Sequence, residues 1–216
     1  FFSNIKDFPK NSIIYINKNL RLEKKTIWKP NIKVNHNIKY DQAVADIQEI
    51  LVNSVKHKMR SDVNVAFCLS GGVDSNSLIG IASKILNKEI NAFSVINKDP
   101  RFEENNMIDI AAKTQNFNHF KIVLEKKNFL KNLKKQIILA GRPIYTISYY
   151  LQNFLMKKIS KKGFKVSISG TGADEIFTGY YDHYNLYAYQ NRNNKIYEKN
   201  IHDFWNKKIK KYVRNP

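Results

Sequence analysis

From residue 63 onward, short apolar runs alternate with longer stretches in which apolar residues recur every three or four positions. The runs are VNVAFCL at 63–69, INAFSVI at 90–96, FKIVL at 120–124 and GFKVSIS at 163–169. Continuous apolar runs are typical of parallel strands buried on both faces, and the intervening patterns are typical of amphipathic crossover helices. The sequence therefore predicts an α/β fold, an open parallel sheet with helices on both faces.

The first forty residues have a different character. The segment SIIYINKNLRLEKKTIW at 12–28 alternates apolar and polar residues around an Asn-Lys-Asn turn, which predicts a β-hairpin. Asp41 can cap a helix that ends near Arg60, with an apolar stripe at Val44, Ile47, Leu51 and Val55. We therefore predict two regions, 1–40 and 41–216.

The first predicted parallel strand is followed by Ser70-Gly71-Gly72-Val73-Asp74-Ser75. Two glycines allow a tight turn that presents backbone N–H groups, and a helix beginning nearby points its positive end at the loop. These features suit a pyrophosphate group. A carboxylate beside phosphates, here Asp74, is the usual ligand of a bridging magnesium ion. The loop lacks the lysine and the spacing of a Walker A motif, so it does not indicate γ-phosphoryl transfer.

A second polar loop, residues 169–175 (SGTGADE), closes the last predicted strand. Taken alone, such a loop is more often a turn before a capped helix than a ligand site. Ligands of parallel sheets bind beyond the carboxyl ends of the strands, where two loops can converge. We therefore expect Asp74 and Asp174 to hold one magnesium ion.

Charge and cysteine content limit the partners and the compartment. The net charge of +19 comes from 37 Lys and Arg, but only six are Arg and the lysines are spread along the chain, so nucleic acid is an unfavoured partner. The lone Cys68 excludes an internal disulfide and fits a reducing compartment, the cytoplasm by default. No apolar run approaches the roughly 18 to 20 residues of a membrane helix. A start at Phe1 without Met indicates the interior of a longer polypeptide.

The segment SGGVDS after a buried strand resembles the pyrophosphate loop of N-type ATP pyrophosphatases, the PP-loop enzymes with an adenine nucleotide alpha-hydrolase-like fold. The second segment, SGTGADEIFTGY, resembles the corresponding loop of glutamine-dependent asparagine synthetases, as does RSDVNVAFCLSGGVDS. The likeness extends to IKDFPKNSIIYI and TIWKP, which look like the segment joining the family's glutaminase domain to its synthetase domain. Residues 1–40 would then be a remnant of that joining segment, and residues 41–216 a synthetase domain truncated at its C-terminal end.

The resemblance implies a set of site residues. Asp74 and Asp174 would hold magnesium, and Val95 would offer its backbone to adenine. The residues that the family uses to bind ATP correspond here to Leu69, Ser70, Gly71, Gly72, Asp74, Ser75, Val95, Ser169 and Gly170.

This sequence departs from the family pattern in three respects. The family carries glutamate where Thr171 stands. Its aromatic-Gly-Gly-Tyr ending is here Phe177-Thr178-Gly179-Tyr180. The family's catalytic lysine is expected beyond Pro216, and its glutaminase domain, with a cysteine nucleophile, ahead of Phe1. The fragment by itself is therefore expected to be inactive.

The activity that the resemblance implies is ATP-dependent amide synthesis through an acyl-adenylate, with magnesium ATP as cofactor and aspartate as the expected carboxylate substrate. Ammonia would come from a glutaminase domain of the same polypeptide, and a homodimer of the full-length protein is compatible with this reading. One alternative is amidation of another carboxylate, such as a sugar uronic acid or a β-lactam-forming substrate, which Thr171 keeps open. A second is an RNA-modifying ATP pyrophosphatase, which the positive charge would suit. A third is a non-catalytic nucleotide-binding protein.

Other chemically capable side chains are expected to have structural roles. Cys68 lies inside an apolar strand and is predicted to be a core residue. His119 and His183 lack a partner at metal-ligand spacing. Glu103 and Glu104 would favour the start of the following helix through its dipole. Tyr180, Tyr181 and Tyr184 could border an acyl-acceptor pocket, or equally pack at a domain edge.

Overall fold

The computed structural model describes residues 3–35, 37–97, 99, 104–115, 117–124, 127–193 and 195–213, with the backbone alone for 195–198 and 212. The strands are β1 Ser12–Ile16, β2 Leu22–Thr26, β3 Val65–Cys68, β4 Asn91–Ile96, β5 Asn118–Val123 and β6 Val166–Ile168. The helices are α1 Tyr40–Lys58, α2 Val73–Gly80, α3 Asn105–Gln115, α4 Phe129–Ala140, α5 Ile147–Lys161, α6 Ala173–Phe177, α7 Tyr181–Gln190 and α8 Lys195–Phe204. A π-helical turn, Ile81–Ile85, continues α2, and π and 3-10 turns, Trp205–Ile209 and Lys210–Tyr212, follow α8.

The chain divides into two compact units. One comprises Phe1–Leu51 with Asn128–Tyr150, and the other comprises Val52–Lys127 with Leu151–Pro216. The predicted boundary at residue 40 between a joining segment and a synthetase domain stays a prediction.

The first unit contains the predicted hairpin. β1 and β2 pair antiparallel, with Ser12 opposite Thr26 and Ile16 opposite Leu22. The side chain of Asn17 organises the turn, because its Oδ1 accepts the backbone N–H groups of Asn19 and Arg21 at 2.9 and 3.0 Å. An asparagine that bonds its own backbone in this way is a frequent turn former. The hairpin prediction is confirmed.

The second unit is built on a four-stranded sheet in the order β5-β4-β3-β6. All three strand pairs are parallel, with Phe67 of β3 opposite Ala92 of β4 on one side and Ile168 of β6 on the other. The parallel sheet predicted from the apolar runs is confirmed. The chain adds β4 and β5 on one side of β3 and then returns to place β6 on the other. Loops at the carboxyl ends of β3 and β6 therefore flank the position where the strand order reverses, which is where ligands of such sheets bind.

Helices cover both faces of this sheet. One face carries a core in which Ala66 and Phe93 pack with Leu155 and Ile159 of α5 and with Phe164. Neighbouring residues along a strand point to opposite faces. Phe67 and Ala92 are buried on the other face, and α2 packs against β3 and α3.

The α1 helix ends close to the predicted Arg60, but it begins at Tyr40, so Asp41 lies in its first turn and not at the predicted cap position. The predicted apolar stripe of α1 is only partly buried. Val55 is 4% exposed, whereas Val44 and Ile47 are 45% and 40% exposed. Periodicity identifies the apolar face of a helix but not what covers it. Among the described residues, no helix combines the length and the apolar character needed to cross a membrane.

Candidate functional site

The loops that follow β3 and β6 lie directly against each other. A Cβ built on Gly170 would lie 2.9 Å from the Cβ of Asp74 and 2.9 Å from the backbone nitrogen of Ser75. Real Cβ atoms essentially never approach other atoms this closely, so the contact depends on glycine at position 170. The structure thus brings together the two loops that the sequence singled out, and we refer to residues 69–76 and 169–180 as the two-loop site.

The hydroxyl of Ser75 organises the first loop from within. Ser75 is 6% exposed. Its Oγ accepts the Ser70 N–H at 3.1 Å and lies 3.2 Å from the carbonyl oxygens of Ser70 and Gly72, to one of which it donates. The Ser70 Oγ in turn accepts the Gly72 N–H at 3.2 Å. Both serines are therefore engaged in shaping the loop, and Ser70, which is exposed, is the one that a ligand can reach.

Asn76 completes this network and was missed in the sequence analysis. Its Nδ2 donates to the carbonyl oxygens of Gly72 at 2.8 Å and Ser70 at 3.1 Å. Both carbonyls are thereby turned toward the helix. The Asn76 Oδ1 is buried and has no hydrogen-bond partner among the described residues. The available signal was its position four residues after Gly72, one helical turn into α2.

Glu104 reaches the first loop from the start of α3. Its Oε2 accepts the Gly71 N–H at 2.7 Å, across 33 positions of sequence. The sequence predicts for Glu104 only a favourable interaction with the helix dipole. Its carbonyl oxygen accepts the Ile108 N–H at 3.0 Å in the first turn of α3. Glu103, predicted to act with it, lies outside the described residues. The sequence offers no local signal for the contact with Gly71, because it depends on how α3 returns to the sheet.

Leu69 and Val95 present backbone rather than side chains to the site. The Leu69 side chain is 4% exposed, and its N–H donates to the Phe93 carbonyl at 2.9 Å. Backbone polar groups alternate along a parallel strand, so the N–H and C=O of Val95, two residues beyond Phe93, point to the same side. Cys68 is the last β3 residue in register with β4, opposite Phe93. The Val95 backbone therefore faces the space beyond the end of β3, where the resemblance places adenine.

The second loop turns at Gly172, whose φ of +101° favours glycine. The Ser169 hydroxyl donates to the Thr171 Oγ1 at 3.1 Å, and Ala173 N–H donates to the Gly170 carbonyl at 3.3 Å. Thr171 is exposed. Where the family carries a carboxylate, this chain has a neutral hydroxyl at the rim of the two-loop site.

Asp174 is fixed by the residues that follow α6. Its carbonyl accepts the Gly179 N–H at 2.9 Å, and a Cβ added at Gly179 would overlap the Asp174 carboxylate. Gly179 is thus required for the position of the Asp174 side chain. Thr178, just before it, ends α6 in the left-handed conformation, with φ of 60°. A β-branched residue is strained there, and this is a position where the family pattern has glycine.

The electrostatics of Tyr180 connect the two loops. Its hydroxyl donates to the Glu175 Oε1 at 2.8 Å, and this hydrogen bond is the main reason that the Tyr180 pKa is raised. The same bond lowers the pKa of Glu175. The negative charges of Asp174 and Asp74 raise the Tyr180 pKa further. The pKa of Tyr180 therefore depends on the charges of both carboxylates that are predicted to bind magnesium.

The carboxylates present suit magnesium held partly by phosphate. Within the described ranges, no group of three or more His, Cys, Asp or Glu side chains could form a complete metal site. Magnesium commonly takes only one or two carboxylates from the protein and fills its other positions with substrate phosphates and water. Asp74 and Asp174, on loops that contact each other, fit that requirement.

Other candidates have structural roles. Burial raises the pKa of the Cys68 thiol to about 11, so the thiol is protonated at neutral pH, as expected of a core residue. His119 Nε2 lies 2.9 Å from the buried Ser94 Oγ, and burial lowers the His119 pKa. Tyr184 donates its hydroxyl to the Ile201 carbonyl at 2.6 Å and stacks on Phe204. Tyr184 is therefore engaged in packing.

A family model and several curated proteins are similar to this chain. The family model for asparagine synthase matches residues 46–215, more than three quarters of the chain. Over 156 residues the chain is 30% identical to asparagine synthetase [glutamine-hydrolyzing] 1 of Bacillus subtilis (strain 168), covering 72% of this chain and 24% of that protein. Over 141 residues it is 28% identical to a putative asparagine synthetase [glutamine-hydrolyzing] 2 of Methanocaldococcus jannaschii, covering 65% and 27%.

A more divergent relative is the amidase chyE of Penicillium rubens, 25% identical over 197 residues, which cover 83% of this chain and 29% of that protein. Among solved structures, the NH3-dependent NAD synthetase from Campylobacter jejuni gives a TM-score of 0.41 at 16% identity, over 66% of this chain and 61% of that one. The chain spans about a quarter of the length of the curated relatives named here.

Proposed function

This chain belongs to the asparagine synthase family, and on that basis we propose that it binds magnesium ATP and takes part in ATP-dependent amide synthesis. The observation that carries the proposal is the contact of Gly170 with Asp74 and Ser75. It joins the two motifs that resemble the family at the position where a parallel sheet binds its ligand.

The proposed reaction has two steps. A substrate carboxylate oxygen attacks the α-phosphorus of ATP, the bond from that phosphorus to the β-bridging oxygen breaks, and acyl-AMP and pyrophosphate form. Ammonia then attacks the acyl carbon, AMP leaves with the bonding electron pair, and loss of a proton gives the amide.

The residues of the two-loop site support the first step by binding the phosphates. The first turn of α2 directs its N–H groups at the loop, and its N-cap residue, Gly72, contributes no side chain that could cap them. Preorganised donors of this kind stabilise negative charge as it develops on a leaving group. Asp74 and Asp174 would hold magnesium, which when bound supplies further neutralisation of the departing pyrophosphate.

Aspartate is the proposed carboxylate substrate, and a glutaminase domain of the same polypeptide is the proposed source of ammonia. The names of the two relatives support both, since they describe glutamine-hydrolysing asparagine synthetases. Thr171 is the residue that favours the alternative, a different carboxylate such as a sugar uronic acid. A neutral hydroxyl cannot orient a cationic group as a carboxylate does.

Calorimetry on the 216-residue chain tests the nucleotide site. We expect ATP to bind at least tenfold more weakly in EDTA than in magnesium, because carboxylates that no metal ion neutralises repel the phosphates. A similar loss is expected in Asp74→Asn and Asp174→Asn, because each variant lacks one of the two proposed magnesium ligands. Asp109→Asn is the matched control, since Asp109 pairs with Lys121 of β5 and not with a residue of the two-loop site. Affinity that is indifferent to EDTA and to both site variants would refute the two-carboxylate metal site.

Pyrophosphate exchange in the polypeptide that contains this chain tests the substrate. Exchange of labelled pyrophosphate into ATP is expected with aspartate, and a panel of uronic acids serves as the comparison. Thr171→Glu is expected to increase the aspartate-dependent rate if the missing carboxylate limits it. Pyrophosphate exchange that depends on a uronic acid and not on aspartate would show that the substrate is a uronic acid.

The net charge of +19 supports one competing function, RNA modification by an ATP pyrophosphatase. Binding that rests on phosphate contacts weakens steeply as salt rises. Salt-sensitive, submicromolar affinity of this chain for RNA would favour that alternative over amide synthesis.

A further inference from the structure

The contact between Glu104 and Gly71 ties the first loop to an element outside it. The Glu104 Oε2 lies 2.7 Å from the Gly71 nitrogen, the shortest of the hydrogen bonds described above for that loop. A carboxylate that accepts a backbone N–H forms a charge-assisted bond, stronger than one between neutral groups. The glycine turn is therefore anchored to the start of α3.

Packing indicates that this contact is part of the loop's folded shape rather than a loose encounter. A Cβ added at Gly71 would lie 3.1 Å from the Glu104 Cβ and 3.2 Å from the Met107 Cβ. The stem of Glu104 and a residue one turn later on α3 both lie close to the glycine. Glu104 is exposed, so these close contacts of its stem, and not burial, are what keep the carboxylate near the Gly71 N–H.

The contact also decides which donors remain for phosphate. Ser70 N–H is given to Ser75 Oγ, Gly71 N–H to Glu104 and Gly72 N–H to Ser70 Oγ. All three N–H groups of the turn thus have acceptors within the protein. The first turn of α2 has no side-chain cap, so its N–H groups are the donors that we expect to remain for a ligand.

We propose that Glu104 is a positioning residue for the nucleotide: by accepting the Gly71 N–H it fixes the glycine turn so that the first turn of α2, and not the turn itself, receives the phosphates. This inference rests on the proposed ATP binding. It assigns Glu104 a role that is distinct from contact with substrate.

The effect of removing the Glu104 carboxylate distinguishes a positioning role from simple occupation of the phosphate position. A carboxylate that merely filled the phosphate position in the empty protein would be displaced by ATP, and its removal would strengthen ATP binding. A carboxylate that positions the turn is needed with ATP bound, and its removal would weaken binding. Glutamine keeps an oxygen that can accept the Gly71 N–H but removes the negative charge near the phosphates.

The experiment compares Glu104→Ala, Glu104→Gln and the control Asp109→Asn, which lies on the same helix. Amide hydrogen exchange at Gly71, measured by NMR without nucleotide, reports the contact directly. Calorimetry measures the affinity of each variant for magnesium ATP. Circular dichroism melting establishes that each variant is folded.

We expect Glu104→Ala to speed Gly71 exchange about tenfold and to weaken magnesium ATP binding about tenfold, in keeping with loss of one charge-assisted hydrogen bond. Glu104→Gln is expected to recover most of both losses, and Asp109→Asn to match the wild type. Unchanged Gly71 exchange in Glu104→Ala, or ATP binding in that variant as tight as the wild type or tighter, would overturn the proposal. If the wild type itself binds no ATP, the proposed function fails, whereas Gly71 exchange still decides whether Glu104 holds the turn.

Discussion

The backbone of Gly170 lies so close to the Cβ of Asp74 that the two loops of the site could not keep their contact with any side chain at position 170. We expect Gly170→Ala to lower the free energy of unfolding by about 1–3 kcal/mol, the usual cost of overpacking. Because the Asp74 loop would have to move, magnesium ATP binding should weaken at least tenfold. Urea unfolding and calorimetry measure the two effects.

Gly80→Ala is the matched control for that substitution. Gly80 is helical, and a Cβ there meets its nearest neighbour, the Gln115 Oε1, at an ordinary 3.6 Å. Alanine should therefore stabilise the chain by about 0.5–1 kcal/mol and leave ATP affinity unchanged. Wild-type ATP affinity in Gly170→Ala would mean that the loops do not need their observed contact.

Thr178 holds a left-handed backbone that is unfavourable for a β-branched residue. Thr178→Gly should raise the free energy of unfolding by about 1 kcal/mol, a little less than the strain relieved, because glycine also gains freedom in the unfolded chain. Thr178→Ala, which keeps a Cβ, should gain much less. Equal stabilities of the Gly and Ala variants in urea would show that position 178 is not strained.

Asn76 donates to two carbonyl oxygens of the first loop. We expect Asn76→Ala to cost about 1 kcal/mol of stability and to weaken ATP binding, since the carbonyls lose a donor. Asn76→Asp should be worse on both measures despite its similar shape, because a carboxylate oxygen would face two carbonyl oxygens. Thermal melts and calorimetry can rank the variants; an Asp variant milder than Ala would argue against this donor role.

Cys68 makes the stability of the chain sensitive to alkaline pH. Burial raises its pKa from an ordinary 9.0 to about 11, so between these values the unfolded chain releases a proton that the folded chain keeps. The folded state then holds more protons, and its stability falls as pH rises, by about 2 kcal/mol across this window. Below pH 9 the contribution is fully present.

The measurement compares urea unfolding of the wild type and Cys68→Ala from pH 7 to 11. The lysines titrate in both proteins, so their effect cancels in the difference. The difference in the free energy of unfolding between the two proteins should be constant up to about pH 9. Above that pH the wild type should lose stability relative to Cys68→Ala. Parallel curves throughout would mean that the thiol is not protected by burial.

The sequence allowed the sheet and the two loops to be predicted because both depend on local patterns. Apolar runs located β3 and β4, and the residues after β3 and β6 carried motifs specific enough to identify a family. The network inside the site could not be predicted in the same way. Glu104 meets Gly71 only through the path that α3 takes back to the sheet, and the partial exposure of Val44 depends on what surrounds α1.

The pairing of Phe67 with Ile168 also has a consequence for how the chain reaches its native state. Strands β3 and β4 are neighbours in sequence as well as in space, but β3 and β6 meet only after a segment of about 100 residues has been closed into a loop. Closing such a segment is entropically costly, and contacts between distant residues slow folding. We therefore expect the two-loop site to form late in the assembly of the sheet. A ligand that touches both loops would bind the fully assembled chain and not a partly folded form. Its binding would therefore raise the free energy of unfolding.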